Sequence, residues 1–447
     1  MPNVVSRAYW SCYLAWHLVG QPRYPFHPGQ RIASDRDRNV RRMVAYAYRW
    51  VPYYRETLDR LGLTPADLCS FDDLRKLPLI SVADLQADAD RFRSRQFRPE
   101  ELLALSSSGS TGSPHVVWHS LASLYQNIGH AEREKVIFRR ILGPGYRTLS
   151  INSATGSGGK VRGATRLQAL WPRQIDAGKQ TIAEGASFQE MRSAMNRVRP
   201  DVLTGYGTTL GSLFLWLERT GEPYHRPRLL RYAADALPAG VRAMLAERYG
   251  ITSFSGYQAI EALKIGFECE QHRGYHINED LYPVRIIDAD GRDLPAGEPG
   301  EVVVSNLVNR ATVLLNYRLA DVATRIDGPC PCGRHLPLIG YVEGRTVDEL
   351  YDTTGQRHWY GAAAAPVRQV AGLYQYQVTQ LALDRIRVDL VVSDACNRER
   401  ETQLLTTKLQ QNLGRDMQIE VRFVDQVERT PSGKVRYVRS LVDREGF

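Results

Sequence analysis

Apolar residues recur at helical spacing from Arg41 to Leu61, and the wider stretch 30–100 reads as helical. Within it, Ser70-Phe-Asp-Asp-Leu-Arg-Lys76 sets a serine ahead of acids, the pattern of a helix N-terminus. Leu102-Leu-Ala-Leu105 is a short unbroken apolar run, which predicts a buried strand. From 115 to 300, helix-like and strand-like segments alternate across short turns. Phe188 to Val198 has the helical period, and Val302-Val-Val-Ser305 suits a strand. Asp288-Ala-Asp-Gly-Arg-Asp293 and Pro295-Ala-Gly-Glu-Pro-Gly300 carry the turn chemistry of a β region. After Gly344-Arg345 the pattern predicts strands at Gln375–Leu381, Ile386–Val392 and Gln418–Val424, with a helix at Arg398–Leu413. The class is α/β: a large N-terminal mixed α/β domain over 1–343 and a small α+β C-terminal domain over 344–447.

Composition narrows the function. The chain has 447 residues, 43% hydrophobic and 24% charged, which excludes disorder or coiled coil as the main architecture. No run of 18 apolar residues occurs, so no membrane partner is expected. The net charge of +9 comes from 51 arginines and 7 lysines. The arginines are interleaved with acids along the whole length, and a nucleic-acid binder would gather them on one face, so no nucleic-acid partner is expected. The scarcity of lysine makes each lysine in an unusual place informative. The six cysteines are unevenly spaced, unlike a secreted disulfide framework, and imply a reducing cytoplasm. The run Ala8–Gly20 reads as an amphipathic helix rather than a signal peptide. Cys12, Cys69 and Cys396 read as core thiols.

The first chemical signal is Ser106-Ser-Ser-Gly-Ser-Thr-Gly-Ser-Pro114. Glycines let the backbone approach a phosphate, and successive N–H groups with serine and threonine hydroxyls can ring an anion. The Lys-Ser/Thr ending of a Walker A loop is missing. Taken alone, the stretch also fits a flexible Ser/Gly linker.

With four further segments in order, the loop resembles the signature set of the adenylate-forming superfamily. Tyr257-Gln-Ala-Ile-Glu261 is similar to its aromatic-x-x-Thr-Glu motif, and Tyr317-Arg-Leu-Ala-Asp321 to Tyr-Arg-Thr-Gly-Asp. Gly344-Arg-Thr-Val-Asp348 resembles the interdomain hinge, and Thr430-Pro-Ser-Gly-Lys434 the loop that carries a catalytic lysine. Tyr53-Tyr-Arg55, Lys76-Leu-Pro-Leu-Ile-Ser81 and Gly274-Tyr-His-Ile-Asn-Glu-Asp280 resemble the phenylacetate–CoA ligase branch with its CapK-like members. The resemblance spans nearly the whole chain.

It implies an ATP-dependent, AMP-forming carboxylate ligase. Ser107, Ser108, Gly109, Ser110, Thr111 and Gly112 would hold the ATP phosphates. The Tyr257 ring would lie against adenine, and Gln258, Ala234 and Asp235 are further candidates for the nucleotide site. Asp321 and Arg345 would fix the ribose, Glu261 would hold magnesium, and Lys434 would bridge carboxylate and α-phosphate. Gly205-Tyr206-Gly207, Ala234, Asp235, the Gly156–Gly159 stretch and Tyr257 are candidates for the acyl pocket, for which the resemblance implies an aryl or small carboxylic acid from specialised metabolism. No Ser–His–Asp triad is needed, because the carboxylate is itself the nucleophile. The acceptor is expected to be CoA, with an amine or a carrier-protein thiol as alternatives, and the protein a monomer or homodimer. Ile260, Leu319, Ala320, Val347 and Ala233-Ala-Asp235 depart from the usual motifs, so a catalytically weak nucleotide-binding paralogue is a competing reading.

Cys269, His276, Cys330 and Cys332 form a one-histidine, three-cysteine set of the kind that holds structural zinc. Buried thiols beside a strand histidine are the plainer alternative, and His272 and His335 compete for the histidine place. Some members of the ligase branch hold zinc with a similar set.

Overall fold

The computed structural model describes residues 3–106, 115–152, 156–170, 178–342, 344–345, 349–359, 361–428 and 435–442, without the side chains of Arg345, Glu349 and Trp359. The helical run expected from Arg41 to Leu61 is divided into Gly29–Trp50 and Pro52–Leu61. Pro52 causes the break. It has no N–H for the helix ladder, and its ring drives Val51 into extended backbone (φ −116°, ψ 116°). The Ser70 signal yields a short 3-10 helix, Asp72–Lys76, with the Ser70 N–H and hydroxyl donating to Asp73 at 2.9 and 2.7 Å. Among the described residues, strand Leu102–Ser106 pairs only with Val116–Ser120 in a two-stranded ribbon, and Leu105 is its one buried residue. A ribbon apart from the main sheet leaves a face open, which corrects the expected buried strand. Cys12 and Cys69 are exposed and Cys396 is half-buried, so none is a core thiol.

Among the described residues, twelve strands join in one sheet. Its parallel part runs in the order Lys179–Ala183, Thr148–Asn152, Val202–Gly205, Leu229–Ala233 and Thr252–Tyr257. Short antiparallel strands continue it through Gly266–Glu268, Tyr275–Ile277 and Leu338–Ile339 to Tyr317–Ile326. Helices Phe188–Val198, Gly207–Thr220 and Ala239–Tyr249 cover the parallel strands, burying Met195, Leu213, Phe214 and Leu245 in one core with Leu149, Leu203 and Leu230. In open sheets of this kind the ligand crevice lies beyond the carboxyl ends of the parallel strands.

A second sheet has the order Gln418–Phe423, Arg385–Val392, Leu373–Ala382 and Val438–Ser440. Helix Arg398–Leu413 packs on it through Leu405, Leu409 and Leu413, one face at i, i+4 and i+8. Asn397 caps that helix by accepting from the Arg400 N–H at 3.1 Å. The second sheet sits against the main body at the strand ends. Gln375 Nε2 donates to Ser212 Oγ (3.2 Å), and the Tyr437 hydroxyl donates to the Ala236 carbonyl (3.3 Å). Leu215 packs with Tyr374, Val391, Val427 and Val435 in one apolar seam. Among the described residues no helix is long and apolar enough to cross a membrane.

Candidate functional site

A cleft of about 2630 Å³ opens where the second sheet faces the carboxyl ends of the parallel strands. Gly205 and Tyr206 leave the end of one strand, Ala234 and Asp235 the end of the next, and Tyr257 and Gln258 the end of a third. All six line the cleft, as do Glu261 and Asp321. Chain topology therefore gathers residues up to about a hundred positions apart, and the parallel register sets them side by side.

The Tyr257 hydroxyl donates to Asp321 Oδ2 at 2.8 Å, and both residues are buried. The Tyr257 ring stacks on Tyr275, with centroids 5.5 Å apart and planes at 27°. Asp321 pairs with Arg345 across antiparallel strands, so the two residues expected at the ribose are backbone neighbours. The segment from Tyr257 to Glu261 is held at three further points. The His119 Nε2–H donates to the Ile260 carbonyl at 2.8 Å. Asn306 Nδ2 donates to the Glu261 carbonyl at 2.6 Å. Glu261 Oε1 receives His115 Nε2 at 2.7 Å and the Tyr317 hydroxyl at 3.3 Å. His119 is wholly buried, and burial pulls its pKa down to about 4, so the ring is neutral and donates one proton.

Asp235 lines the cleft and also holds a helix end. Its carboxylate accepts from the Gly207 N–H at 2.5 Å and also from the Thr208 hydroxyl, capping helix Gly207–Thr220. Gln258 stands between two cations. With its amide oxygen facing the cations, it accepts from Arg231 Nη2 (2.5 Å) and Lys264 Nζ (2.8 Å). Tyr206 is half-buried on the cleft wall, and burial pushes its phenol up to about 12. Ser107, Ser108, Gly109, Ser110, Thr111, Gly112 and Lys434 lie outside the described residues, as do Thr346, Val347 and Asp348. The residues that flank the gaps share one cleft: Ser106 and His115 from one side and Val435, Arg436 and Tyr437 from the other line it.

Cys269, His276, Cys330 and Cys332 converge, their ligand atoms all within 4.8 Å of one another. Cys269 Sγ lies 3.7 Å from Cys330 Sγ, and Cys332 Sγ lies 3.3 Å from His276 Nε2. A tetrahedral zinc with Zn–S of about 2.3 Å and Zn–N of about 2.0 Å has S–S edges of about 3.8 Å and S–N edges of about 3.5 Å. The His276 Nδ1–H donates to the Leu336 carbonyl at 3.3 Å, which leaves Nε2 as the free ligand atom. Of the rival histidines, His272 pairs with Glu268 at 2.7 Å and His335 bonds the His27 carbonyl at 2.9 Å.

Sequence reasoning missed His115 and His119. Their signal was present: 115, 117 and 119 alternate on one face of the strand that leaves the serine loop. It also missed Glu134, Arg231 and Lys264, which meet at the inner wall of the cleft. No motif ties these three together; only the fold does.

Comparison with known proteins adds the following. Residues 353–440 match the family described as the CapK C-terminal domain. The chain is similar to a phenylacetate-coenzyme A ligase of Thermus thermophilus, at 27% identity over 95% of this chain and 100% of that one. It is similar to protein CapK of Staphylococcus aureus, at 19% identity over 86% of this chain and 84% of that one. Its fold resembles that of a 2-hydroxyisobutyryl-CoA ligase in the postadenylation state, with a TM-score of 0.74, 19% identity and coverage of 95% of this chain and 92% of that one.

Proposed function

We propose, from the premise that the chain belongs to the adenylate-forming superfamily and to its phenylacetate–CoA ligase and CapK-like branch, that it is an AMP-forming carboxylate–CoA ligase. One observation carries the reading. Tyr257, Glu261 and Asp321 share a single cleft with Ser106 and Val435, the chain neighbours of the serine loop and of Lys434.

The chemistry follows from the substrates. A carboxylate is a poor electrophile, since its leaving group would be oxide. Its oxygen attacks the α-phosphorus of ATP, the bond to pyrophosphate breaks, and an acyl-adenylate forms. The CoA thiol then attacks the acyl carbon, loses its proton, and AMP leaves. Catalysis of the first step is positioning and charge stabilisation at phosphorus. Lys434 would sit between the carboxylate and the α-phosphate, and the serine loop would hold the outer phosphates. Asp321, oriented by the Tyr257 hydroxyl at 2.8 Å, would take the ribose hydroxyls. Glu261, flanked by His115 and Tyr317, would hold magnesium, which neutralises phosphate charge when bound. The buried Cys269, His276 and Cys330 with the half-buried Cys332 fit a closed zinc site, and such a zinc would be structural. The second sheet would turn about the segment 346–348 to admit CoA.

The test is a mass-spectrometric search for acyl-AMP across a panel of carboxylic acids, with pyrophosphate release measured in parallel. Acyl-AMP that is converted to a thioester on adding CoA, and is lost in Lys434→Ala, is the expected result. Adenylate that reacts with amines but not CoA would move the acceptor to an amine. ATP binding without pyrophosphate from any acid would refute the reading in favour of a nucleotide-binding paralogue.

A further inference from the structure

Beside the Tyr257–Glu261 segment the cleft has a second polar cluster, to which the motifs assign no phosphate or ribose contact. Glu134, on helix Glu132–Leu142, receives a two-pronged ion pair from Arg231 (Nε–Oε1 2.9 Å, Nη2–Oε2 3.1 Å). Lys264 Nζ stands 3.9 Å from Glu134 Oε2. Gln258 bridges the two cations as described above. Gly256 makes the space: a Cβ there would come within 2.4 Å of Arg231 Nη2. Lys135 and Lys179 also line this end, so three of the chain's 7 lysines face one wall.

The pairing is uneven. Arg231 occupies both oxygens of Glu134, and Glu132 holds Lys135 at 2.8 Å. Among the described residues, Lys264 Nζ has one acceptor within hydrogen-bond distance, the Gln258 oxygen, for its three N–H bonds. Burial pulls Lys264 down to about 7, and the charges of Arg231, Lys135 and Lys179 act in the same direction. An ammonium in that position is short of negative charge and of acceptors. A ligand carboxylate would supply both.

We propose that this cluster is the distal subsite of the acyl pocket, and that the acid activated here carries a second anionic group that docks on Lys264 beside Arg231. The substrate class is thus a dicarboxylic acid rather than a purely apolar one. The inference rests on the ligase reading above and sharpens it.

The test compares isosteric acids in the pyrophosphate assay. Glutarate is set against 5-methylhexanoate, and 4-carboxyphenylacetate against 4-isopropylphenylacetate. Wild type should favour the diacid of at least one pair by about tenfold or more in kcat/KM. Lys264→Met should erase that preference, Lys264→Arg should keep most of it, and the KM for ATP should stay within about threefold in both. A wild-type preference for the isopropyl acids overturns the subsite with no variant needed, and leaves the ligase reading standing. Equal losses for both members of a pair in Lys264→Met, or a tenfold rise in the KM for ATP, overturn it by making the lysine structural or part of the nucleotide site. Silence with every acid overturns the subsite and the ligase reading together.

Discussion

Removing metal from the Cys269–His276–Cys330–Cys332 site tests the link between that site and the nucleotide side of the cleft. A metal there closes a chain loop of 61 residues between Cys269 and Cys330. Loop-closure entropy alone makes such a cross-link worth about 4 kcal/mol. At about 2.1 cal/mol/K of unfolding entropy per residue, that is a fall of about 6 °C in melting temperature for a unit the size of the N-terminal body. The damage should reach Tyr257 by two routes. Glu268, next to Cys269, accepts from the Ser255 N–H at 2.6 Å, two residues before Tyr257. Tyr275, next to His276, stacks on the Tyr257 ring itself. Elemental analysis of native protein should find about one zinc per chain. Cys332→Ser, and wild type dialysed against a strong chelator under reducing conditions, should each lower the metal content and the melting temperature and raise the KM for ATP. Native protein that carries no metal, or that melts and binds ATP unchanged after chelation, would refute both the site and its coupling.

Two other perturbations read the scaffold. His119 has a folded pKa of about 4 against 6.5 unfolded. Because the folded value is the lower one, its contribution is full above about pH 6.5 and is lost as pH falls toward about 4, roughly 3 kcal/mol across that window. Urea midpoints of wild type and His119→Asn should therefore converge between pH 7.5 and pH 4.5, and parallel pH profiles would count against the buried neutral ring. At Gly240 an added Cβ would come within 1.8 Å of the Leu373 carbonyl oxygen, where helix Ala239–Tyr249 meets the second sheet. Gly240→Ala should cut acid-dependent pyrophosphate release by about tenfold or more by forcing the two bodies apart. Its melting curve should stay near wild type, and undiminished release would show that this docking is not needed for adenylation.

How much was legible in the sequence depended on the range of the forces involved. Local signals did well. The i, i+4 period of Arg398–Leu413 and the alternation of the strands at 385–392 and 418–423 are set by neighbours in the chain, and the structure has them in place. Val51-Pro52 was also a local signal, but the helical period of its surroundings outweighed it. Motif residues with one job, Tyr257, Glu261 and Asp321, meet in one cleft. Residues whose partner is set by tertiary contact were opaque. Nothing in Ala233-Ala-Asp235 says that the carboxylate caps a helix starting 28 residues earlier. Nothing in Glu134 or Lys264 says that they will face each other across a cleft.

The motif departures lead to the last prediction. Ala234 and Ala320 stand where related motifs carry glycine, which reads in the sequence as erosion. Both nevertheless hold the left-handed backbone that glycine favours, with φ of 72° and 59°. The chain has kept the geometry of the motif and lost only the residue best suited to it. An alanine there costs about 1–2 kcal/mol in contact between its Cβ and the carbonyl oxygen, against about 0.5–1 kcal/mol of extra unfolded-state entropy for glycine. Ala320→Gly and Ala234→Gly should therefore each stabilise the protein by about 0.5–1 kcal/mol, read as a higher urea midpoint at unchanged slope. Any drop in midpoint would mean that the methyl groups have found packing worth more than the strain, and that the site has been rebuilt around alanine. A rise would mean that the turn after strand Leu229–Ala233 and the irregular stretch of strand Tyr317–Ile326 around Ala320 still follow the ancestral path, with the strain retained because the cleft requires that backbone.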